Sequence, residues 1–565
     1  SAEELVDRMR LSRLPPEATR SLVHQMSGAG ETIAPLARRL HRETLGNPFF
    51  LIETVRSLFE TDQLRLVKGV WQGDFKRISQ APLPLPARMR DLIRARADRL
   101  GEAYQEALDL AAVLGVAFDF EPLHSAWGHD VEDALEALDA MLQRRLIEES
   151  ESPAERDYAF THHKIQEVVY RDISRRRRQH LHGRVATVLE DLYGPDAEAR
   201  AGELAHHFDQ GRRLDDALTD KAIRYMLQAG HQARVLRASQ EAIDWYERAL
   251  RLTRQRGEHE RSARTLMKVG LTHHDAFQFG AAQAAYEEGF ARWQRAAASG
   301  RAARTAVART LRVSSMEPVS LDPAYGYDVI SQPIVHQLFG GLLARGPGME
   351  LVPDVADSCA ILDGGLRYVF ELRDDVAWSD GAPLTAGDFE YAWKRALRPE
   401  VGCIGATLLY DIRGARAYHQ GALSDPECIG VHAADEATLV VELEEPVGYF
   451  LHVLGNAVTY PVPQHKVEAQ GEAWSEPGTV VTNGPFHLDA WRPGDTLVLS
   501  ANPRYHGPLQ GNVGRVVVQV IHDPEVGVAA YDADRLDVLN MLYFPPAVID
   551  RARWAHAGEY VSGPP

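Results

Sequence analysis

Alternating apolar and polar positions are clearest in residues 368–393, whose sequence YVFELRDDVAWSDGAPLTAGDFEYAW predicts a strand, a turn and a helix. Apolar side chains occupy every second position of residues 368–372, which is the period of a half-buried strand. Residues 379–383 follow with Ser-Asp-Gly and a proline, all of them turn residues. Thr385 then predicts a helix start, because a threonine cap and an acidic residue three positions later, Asp388, together satisfy free backbone amides.

The first 300 residues show the helical period rather than the strand period. The tripeptide Gly46-Asn47-Pro48 predicts a helix start, although taken alone it indicates only a loop between two helices. The predicted apolar face of that helix consists of Phe49, Ile52, Val55 and Leu58. A proline-rich linker, PLPLPARM, is predicted over residues 82–89.

An internal repeat is visible in the helical part. Two segments, QEAIDWYERAL and GAAQAAYEEGF, align with Tyr246 opposite Tyr286 and Ala242 opposite Ala282, 40 positions apart. The alanines stand where paired helices would approach each other. Repeats of this kind bury one face against their neighbours and offer a concave surface to protein partners. The stretch AAASGRAARTA, residues 296–306, predicts a linker to the next domain.

Length and charge limit the classes of function. A chain of 565 residues is too long for one hydrophobic core, so several domains are expected. The net charge of -18 argues against a general nucleic-acid-binding protein. A local basic run, Arg175 to Arg178, is predicted to end a helix, where cations complement the helix dipole, and DNA contact is the alternative. No apolar run reaches the roughly 20 residues that span a bilayer.

Neither the cysteines nor the histidines form a metal or disulfide pattern. The three cysteines lack CxxC spacing. Paired histidines at 162–163, 206–207 and 273–274 would point about 100° apart on a helix, so structural histidines and no metal site are expected. The chain begins without the basic and apolar regions of a signal peptide. A cytoplasmic location is therefore expected, and a periplasmic or extracellular one is the alternative if a signal peptide precedes Ser1.

The strand and turn at 368–393 resemble those of the family 5 solute-binding proteins, the oligopeptide- and dipeptide-binding receptors of ABC importers. The shared pattern is an F-x-L-R strand end followed by V-x-W-x-D-G-x-P-L-T-A-x-D. Further segments resemble the family in the same order, namely residues 320–343, 438–450, 460–474, 482–507 and 535–540. The resemblance implies a two-lobed α/β domain of the periplasmic-binding-protein type II fold over residues 306–565. Because family members are about twice as long as this stretch, only the N-terminal part of that domain is expected.

The same resemblance implies which residues meet the ligand, a peptide or another small solute. The implied positions are Tyr327, Asp328, Val329, Gly405, Ala406, Asn483 and Gly484. Peptide binders often carry an aromatic residue where this sequence has Gly405. This difference from the family means that the solute need not be a peptide. Asn483 and Gly484 stand at a turn near the hinge, where tight-turn geometry without ligand contact is an equally good interpretation.

Three further resemblances describe the helical part. Residues 1–80 resemble the helical lid of AAA/STAND signalling ATPases, in which a G-x-P segment lies against adenine, so the tripeptide at 46–48 is expected to contact a nucleotide. Residues 81–182 resemble the winged-helix module of large bacterial regulators through the pattern F-x-H-x-x-x-x-E-x-x-Y. Residues 183–305 resemble a degenerate tetratricopeptide array, whose usual period is roughly 34 residues.

The chain lacks a G-x-x-x-x-G-K-[ST] phosphate loop, a nucleophile elbow and an H-E-x-x-H motif. We therefore expect no enzyme activity and no cofactor in this chain. ATP and Mg²⁺ would belong to an N-terminal core outside it, and both ends of the chain are expected to be truncated.

Together these patterns predict a multidomain protein, with an all-α N-terminal half followed by an incomplete α/β binding domain. The main hypothesis is that the binding domain is the sensor of a cytoplasmic regulator that also carries an ATPase and helical repeats. Two alternatives stay open: the substrate-binding receptor of a peptide ABC importer, and a protein-interaction scaffold without a ligand.

Overall fold

A computed structural model describes residues 13–81, 83, 86–150, 156–300, 309–346, 350–507 and 512–561. The helices are α1 Pro16–Ser27, α2 Ala34–Thr44, α3 Pro48–Glu60, α4 Phe75–Gln80, α5 Ala87–Asp98, α6 Glu102–Leu114, α7 Phe120–Trp127, α8 Val131–Gln143, α9 His163–Asp172, α10 Arg175–Tyr193, α11 Ala201–Gly211, α12 Asp216–Val235, α13 Ser239–Gln255, α14 His259–Asp275, α15 Phe279–Gly300, α16 Ser331–Leu338, α17 Ala386–Ala396, α18 Ala415–His419, α19 Phe450–Val453, α20 Gln464–Gln470, α21 Pro524–Asp532 and α22 Pro546–Ala555. The strands are β1 Arg65–Val67, β2 Val70–Gln72, β3 Ala117–Phe118, β4 Ile147–Glu149, β5 Tyr158–Phe160, β6 Arg309–Ser315, β7 Leu343–Arg345, β8 Leu351–Pro353, β9 Ala356–Leu362, β10 Arg367–Leu372, β11 Val431–Ala433, β12 Thr438–Glu442, β13 Phe486–Arg492, β14 Thr496–Ala501 and β15 Val513–Val520.

The chain divides into two compact units, Ser1–Tyr225 and Met226–Pro565. Residues 82, 84 and 85 of the predicted proline-rich linker lie outside the described residues, as do residues 301–306 of the second predicted linker. Helix α15 runs on to Gly300, through the first part of that second linker. None of the helices given above combines enough length and apolarity to cross a bilayer.

In the first unit, helix α3 turns a different face inward from the one predicted. The helix begins at Pro48 as expected, because Asn47 Oδ1 accepts hydrogen bonds from the backbone N–H groups of the next turn. The apolar residues it buries are Phe50, Leu51, Val55 and Leu58. Phe49 and Ile52 are each 44% exposed, so the predicted face was wrong for these two. The buried face instead includes Leu51, Val55 and Leu58, which pack with α2 and with Trp71 of β2.

The basic run Arg175 to Arg178 begins a helix and does not end one, which corrects the prediction. Helix α9 ends at Asp172, and α10 begins at Arg175. The two residues between them have extended backbone, and the first, Ile173, is buried in the core, which separates the helices. Cations at a helix N-terminus oppose its dipole. The dipole therefore does not account for these arginines.

In the second unit, which begins at Met226 within α12, helices α12 to α15 repeat one contact 40 positions apart. A Cβ added to Gly230 would lie 2.5 Å from the ring of Tyr246, and a Cβ added to Gly270 would lie 2.5 Å from the ring of Tyr286. Each tyrosine ring thus packs against a helix at a position where only glycine leaves room. The sequence repeat corresponds to a structural repeat of helix–helix contacts.

The strand, turn and helix predicted from residues 368–393 are confirmed. Strand β10 buries Tyr368, Phe370 and Leu372 on one face. Helix α17 begins with the predicted capping box, in which the Thr385 backbone N–H donates to Asp388 Oδ2 at 2.9 Å and the Thr385 side chain accepts from the Asp388 backbone.

Two four-stranded sheets form the frame of the second unit. The first has the antiparallel order β11-β12-β10-β9, so that β9 lies at one edge. The second has the order β13-β14-β15-β6, with β6 parallel to β15. Their buried residues belong to one core cluster that also includes Met267, Tyr286 and Phe290 of the helical repeats. The helical repeats and the sheets of this unit therefore share a hydrophobic core.

Helix α15 covers the edge of β9. Gln283 Oε1 accepts the backbone N–H of Ile361 at 2.7 Å, and Gln283 Nε2 donates to the backbone oxygen of Cys359 at 3.2 Å. The side-chain amide pairs with the strand as a further strand would, because it presents one acceptor and one donor side by side. On α14, His274 is fully buried and contacts Gly448 O through Nδ1 and Tyr368 Oη through Nε2, each at 2.7 Å.

Candidate functional site

The candidate site lies where two parallel strands of the second unit end side by side. Strand β6 ends at Ser315, which pairs with Val520 at the end of β15. The backbone N–H of Ile521 donates to Ser315 O at 2.9 Å and closes this ladder. The carboxyl ends of parallel strands commonly border a ligand crevice, because the chain leaves the sheet there and its loops diverge.

A cavity of about 130 Å³ opens at this edge. Its lining residues are Ser314, Ser315, Met316, Ile330, Ile521, His522, Pro524, Asn540, Leu542, Tyr543 and Phe544. The lining is mainly apolar, with a serine pair, a histidine and an asparagine as polar groups. Complete sites for drug-sized ligands measure about 300–1,000 Å³. The cavity is therefore large enough for one or two side chains of a ligand.

The segment after α21 is attached to the sheet edge through Arg312. The Arg312 guanidinium lies 2.7 Å from Asp537 Oδ1, and hydrogen bonds from Arg312 hold the pKa of Asp537 below its usual range. Val538 forms a parallel bridge with Val313. The Asn540 backbone N–H then donates to Ser314 Oγ at 2.8 Å. These bonds bring residues 540–544 over the cavity.

A buried ion pair anchors the loop on the other side of the cavity. Asp322 is 2% exposed, and its Oδ2 accepts from Arg395 Nη2 at 2.7 Å and from Trp474 Nε1 at 3.0 Å. The guanidinium of Arg395 also lies 5.9 Å from the ring centre of Tyr325. Because a buried charge is stable only when it is paired and hydrogen-bonded, this arrangement holds the loop from 320 to 330 in one conformation.

The structure brings Tyr327 and Gly405, which are far apart in the chain, into contact. A Cβ added to Gly405 would lie 3.0 Å from Tyr327 Cδ2 and 3.2 Å from Val458 Cβ. The absent side chain at 405 leaves the space that the tyrosine ring fills. Gly405 and Ala406 lie in a short 3₁₀ helix, Ile404–Leu409, and both are buried.

Asp328 begins the helix that leads away from the cavity. Its Oδ1 accepts the backbone N–H groups of Ile330 and Ser331, each at 2.9 Å. Burial alone would raise the pKa of Asp328, but hydrogen bonds from Ser331 and Ile330 outweigh burial and lower it. Val329 is 56% exposed beside Ile330, which lines the cavity.

Asn483 and Gly484 connect two parts of the core. The side-chain amide of Asn483 donates to Gly340 O and accepts Gly340 N–H, each at 3.0 Å. The Gly484 N–H donates to Leu338 O at 2.8 Å, and a Cβ added to Gly484 would lie 2.6 Å from the Leu338 carbonyl carbon. Both residues are buried against the end of α16. Their described contacts join α16 to the start of β13.

All seven predicted ligand positions lie in the described part of the chain, and none of them lines the cavity. Ile330 and Asn540 do line it, and they stand beside or at the end of segments that the sequence singled out. Met316 and the stretch 542–544 gave no sequence signal. Met316 follows the end of β6, and residues 542–544 follow the recognised segment 535–540. Only the folded sheet edge brings these residues together.

In the first unit, Gly46, Asn47 and Pro48 form the connection between α2 and α3. Gly46 has a φ of 72°, and its carbonyl accepts the backbone N–H of Leu14 at 2.9 Å. A Cβ added to Gly46 would lie 2.0 Å from Leu14 O, so glycine is required there. Phe50, two residues beyond Pro48, stacks edge-on against the buried ring of His162 at 4.5 Å.

The comparisons with known proteins show what the C-terminal half of the chain is similar to. The family model of bacterial extracellular solute-binding proteins, family 5 Middle, matches residues 350–557. The C-terminal half of the chain is thus similar to family 5 solute-binding proteins. The match includes β15 and the 540–544 side of the cavity.

Three curated relatives are similar to part of the chain. Dipeptide-binding protein DppE of Bacillus subtilis is 33% identical over 251 residues, 44% of this chain and 45% of that protein. The probable deoxycholate-binding periplasmic protein YgiS of Escherichia coli is 35% identical over 224 residues, 39% of this chain and 42% of that protein. The periplasmic oligopeptide-binding protein OppA of Escherichia coli is 34% identical over 232 residues, 41% and 42% respectively. The chain spans less than half the length of each relative.

Proposed function

We propose that the cavity at the ends of β6 and β15 is one wall of a solute-binding site, and that its solute is a short peptide. The observation that carries this proposal is the position of the cavity. It lies at the carboxyl ends of two parallel strands, and residues 513–544 around it fall within the family match. Two of the similar proteins are named for dipeptide and oligopeptide binding.

The backbone beside the cavity supports an extended ligand. Residues 316–318 continue past the last paired residue of β6, Ser315, and belong to no described strand. An extended peptide placed along them would bond through its own main chain, which tolerates many side chains. The cavity would then take one apolar side chain, with Leu542 and Tyr543 as a partly exposed apolar rim.

A second candidate solute is an amphipathic acid of the bile-acid type. The mainly apolar lining, with Met316, Ile330 and Phe544, favours it. One similar protein is named for deoxycholate binding. A rigid apolar ring system needs few polar partners, whereas a peptide needs main-chain pairing.

For the whole chain we propose a sensor role in a regulator with lid-like, winged-helix-like and tetratricopeptide-like parts. This proposal is supported by the hydrophobic core that helices α14 and α15 share with the two sheets. A ligand that moves the sheet edge would also shift the packing of those helices. The location would then be cytoplasmic. A receptor of an ABC importer is the alternative, and it would act outside the cytoplasm, as the names of two of the relatives indicate.

The test is calorimetric titration of the 565-residue chain with a defined mixture of tri- to pentapeptides and, separately, with deoxycholate. Leu542→Arg places a charge in the cavity wall and is expected to weaken binding at least about tenfold, because a charge is costly beside apolar ligand surface. Leu423→Arg, the same substitution at another exposed leucine that does not line the cavity, is the control. Equal effects of the two variants, or no binding of either solute, would overturn the proposal.

A further inference from the structure

A second cavity, of about 230 Å³, lies in the first unit between the start of α10 and the end of α11. Four arginines line it: Arg175 and Arg178 from α10, and Arg212 and Arg213 from the turn that follows α11. Its only lining carboxylate, among the described residues, is that of Asp209, which lies 2.7 Å from Arg212 Nε. The lining therefore carries a surplus of positive charge.

The positions of these arginines are unfavourable for the protein alone. Arg175 and Arg178 stand in the first turn of a 19-residue helix, where the positive end of the dipole repels cations. In the described part of the chain, neither Arg175 nor Arg213 forms an ion pair. An anion in the cavity would offset both the mutual repulsion of the arginines and the helix dipole, because their guanidinium groups would donate to it.

The cavity is formed by a close approach of the two helices. A Cβ added to Gly211 of α11 would lie 2.8 Å from the Cα of Gly183 in α10 and 3.4 Å from Gln179 O. Two glycines in contact allow the helices to come close at this level. The arginines on either side are thereby brought around one space.

The side chain of Arg178 is held in place by a buried hydrogen-bonded chain. Its guanidinium lies 4.9 Å from the ring centre of Tyr170 and donates to Tyr170 O at 3.2 Å. The Tyr170 hydroxyl lies 2.8 Å from Nε2 of His182, whose Nδ1 lies 3.0 Å from Nδ1 of His207. Both histidines are buried, so this chain orients one arginine towards the cavity before any ligand arrives.

We propose that this cavity binds the phosphate or diphosphate group of a small molecule. Arginine suits such a group because its planar fork donates two parallel hydrogen bonds to phosphate oxygens. The cavity is smaller than the roughly 300–1,000 Å³ of sites that enclose a whole drug-sized ligand. It therefore encloses the charged group and leaves any organic part outside. The site is separate from the solute cavity of the second unit and does not depend on its function.

The test is calorimetric titration of the 565-residue chain with inorganic phosphate, pyrophosphate and ADP, in a chloride buffer of about 0.15 M that screens weak surface attraction. At least one probe is expected to bind. Removing two guanidinium groups in Arg175→Gln/Arg213→Gln is expected to weaken binding about tenfold or more. Both side chains are exposed, so the double variant should fold, and a melting curve checks this. Stronger binding of ADP than of pyrophosphate would identify an organic phosphate, and the reverse a free inorganic anion.

Arg176→Gln is the matched control, because this arginine belongs to the same run and turn but does not line the cavity. It should bind the probes as the unchanged chain does. An equal loss in Arg176→Gln would show general charge attraction and overturn the proposal. The absence of binding by all three probes would also overturn the proposal. Binding of duplex DNA would overturn it too, if neither phosphate nor pyrophosphate competes with the DNA.

Discussion

At the scale of single residues, the loop beside the candidate site is held both by an absent side chain, at Gly405, and by a buried charged one, at Asp322. Tyr327 fills the space next to Gly405, and it does so only because position 405 has no Cβ. The buried Asp322 holds Arg395 and Trp474 and thereby fixes the loop that carries Tyr327. The resemblance to a family pointed to Tyr327 and Gly405 separately, and the structure places them side by side.

The first prediction concerns this pair. Gly405→Leu should destabilise the second unit by about 1–3 kcal/mol, because a side chain at 405 has to displace the Tyr327 ring in a packed core. The cost should shrink when Tyr327→Ala is combined with it, so the two changes should not be additive. Denaturant unfolding of the four forms of the cycle measures the coupling. Gly280→Leu, where no atom lies within 4 Å of an added Cβ, should change little.

At the scale of secondary-structure elements, the helical repeats do more than stack on one another. Helix α15 covers β9 with Gln283, and Gln294 Nε2 donates to Asp357 Oδ1 at 2.7 Å further along the same edge. An uncovered edge strand would present unpaired backbone groups to other chains. The surface of α15 that covers β9 is thus occupied within the unit and is not open to a partner protein.

The second prediction tests this covering role. Gln283→Leu leaves Ile361 N–H and Cys359 C=O without their side-chain partner, which should cost about 1–3 kcal/mol of unfolding free energy. Amide hydrogen exchange at Ile361 should become faster in the variant. The control is Gln240→Leu, since within the described part of the chain the Gln240 side chain bonds only to the nearby Asp244 on the surface of α13. Unchanged exchange at Ile361 would contradict the proposed role of the side chain.

At the scale of the whole molecule, one histidine of each pair is buried: His162, His207 and His274. The ring of His163 stacks on the ring of His162 with 4.5 Å between centres, and the ring of His206 lies edge-on to that of His207 at 5.3 Å. Burial lowers the pKa of His162 to about 4 and the pKa of His207 to about 3, and it also lowers the pKa of His274. Burial likewise lowers the pKa of His182 to about 2. These four histidines are therefore neutral in the folded protein, three of them in the first unit and one in the second.

The third prediction follows from these pKa values. Above pH 6.5 the histidines are neutral in both the folded and the unfolded chain, so they impose no penalty. As the pH falls from 6.5 towards 4, the unfolded chain takes up protons that the folded chain does not, and stability falls. The slope is roughly 1.4 kcal/mol per pH unit for each histidine. Melting temperatures of the 565-residue chain at pH 7.5 and pH 5 measure it.

The control for the dependence of stability on pH compares the loss of a buried histidine with the loss of an exposed one. His207→Gln removes one buried titrating group and should make the dependence on pH less steep in the first unit. His180→Gln, an exposed position on α10, should leave the slope unchanged. A melting temperature that does not fall between pH 7.5 and pH 5 would show that the buried histidines do not control acid stability.

Much of the second unit followed from the sequence by itself. The alternation at 368–372, the Thr385–Asp388 capping box and the 40-residue repeat are local patterns, and local backbone and capping physics determines them. The apolar face of α3 and the place of the arginine run were predicted wrongly. Tertiary packing determined both. The buried face of α3 is set by contacts with α2 and Trp71, and the start of α10 is set by the burial of Ile173.

The sequence alone determined the class of the C-terminal half, because that class is carried by ordered local motifs. Tertiary structure alone decided which residues line the two cavities, since Met316 and Leu542 border one cavity, and Arg178 and Arg213 the other, only after distant segments pack. It also decided that α15 covers β9. The physical reason is the same throughout: helix and strand periods depend on neighbours in the chain, whereas a cavity depends on how close two separate elements come.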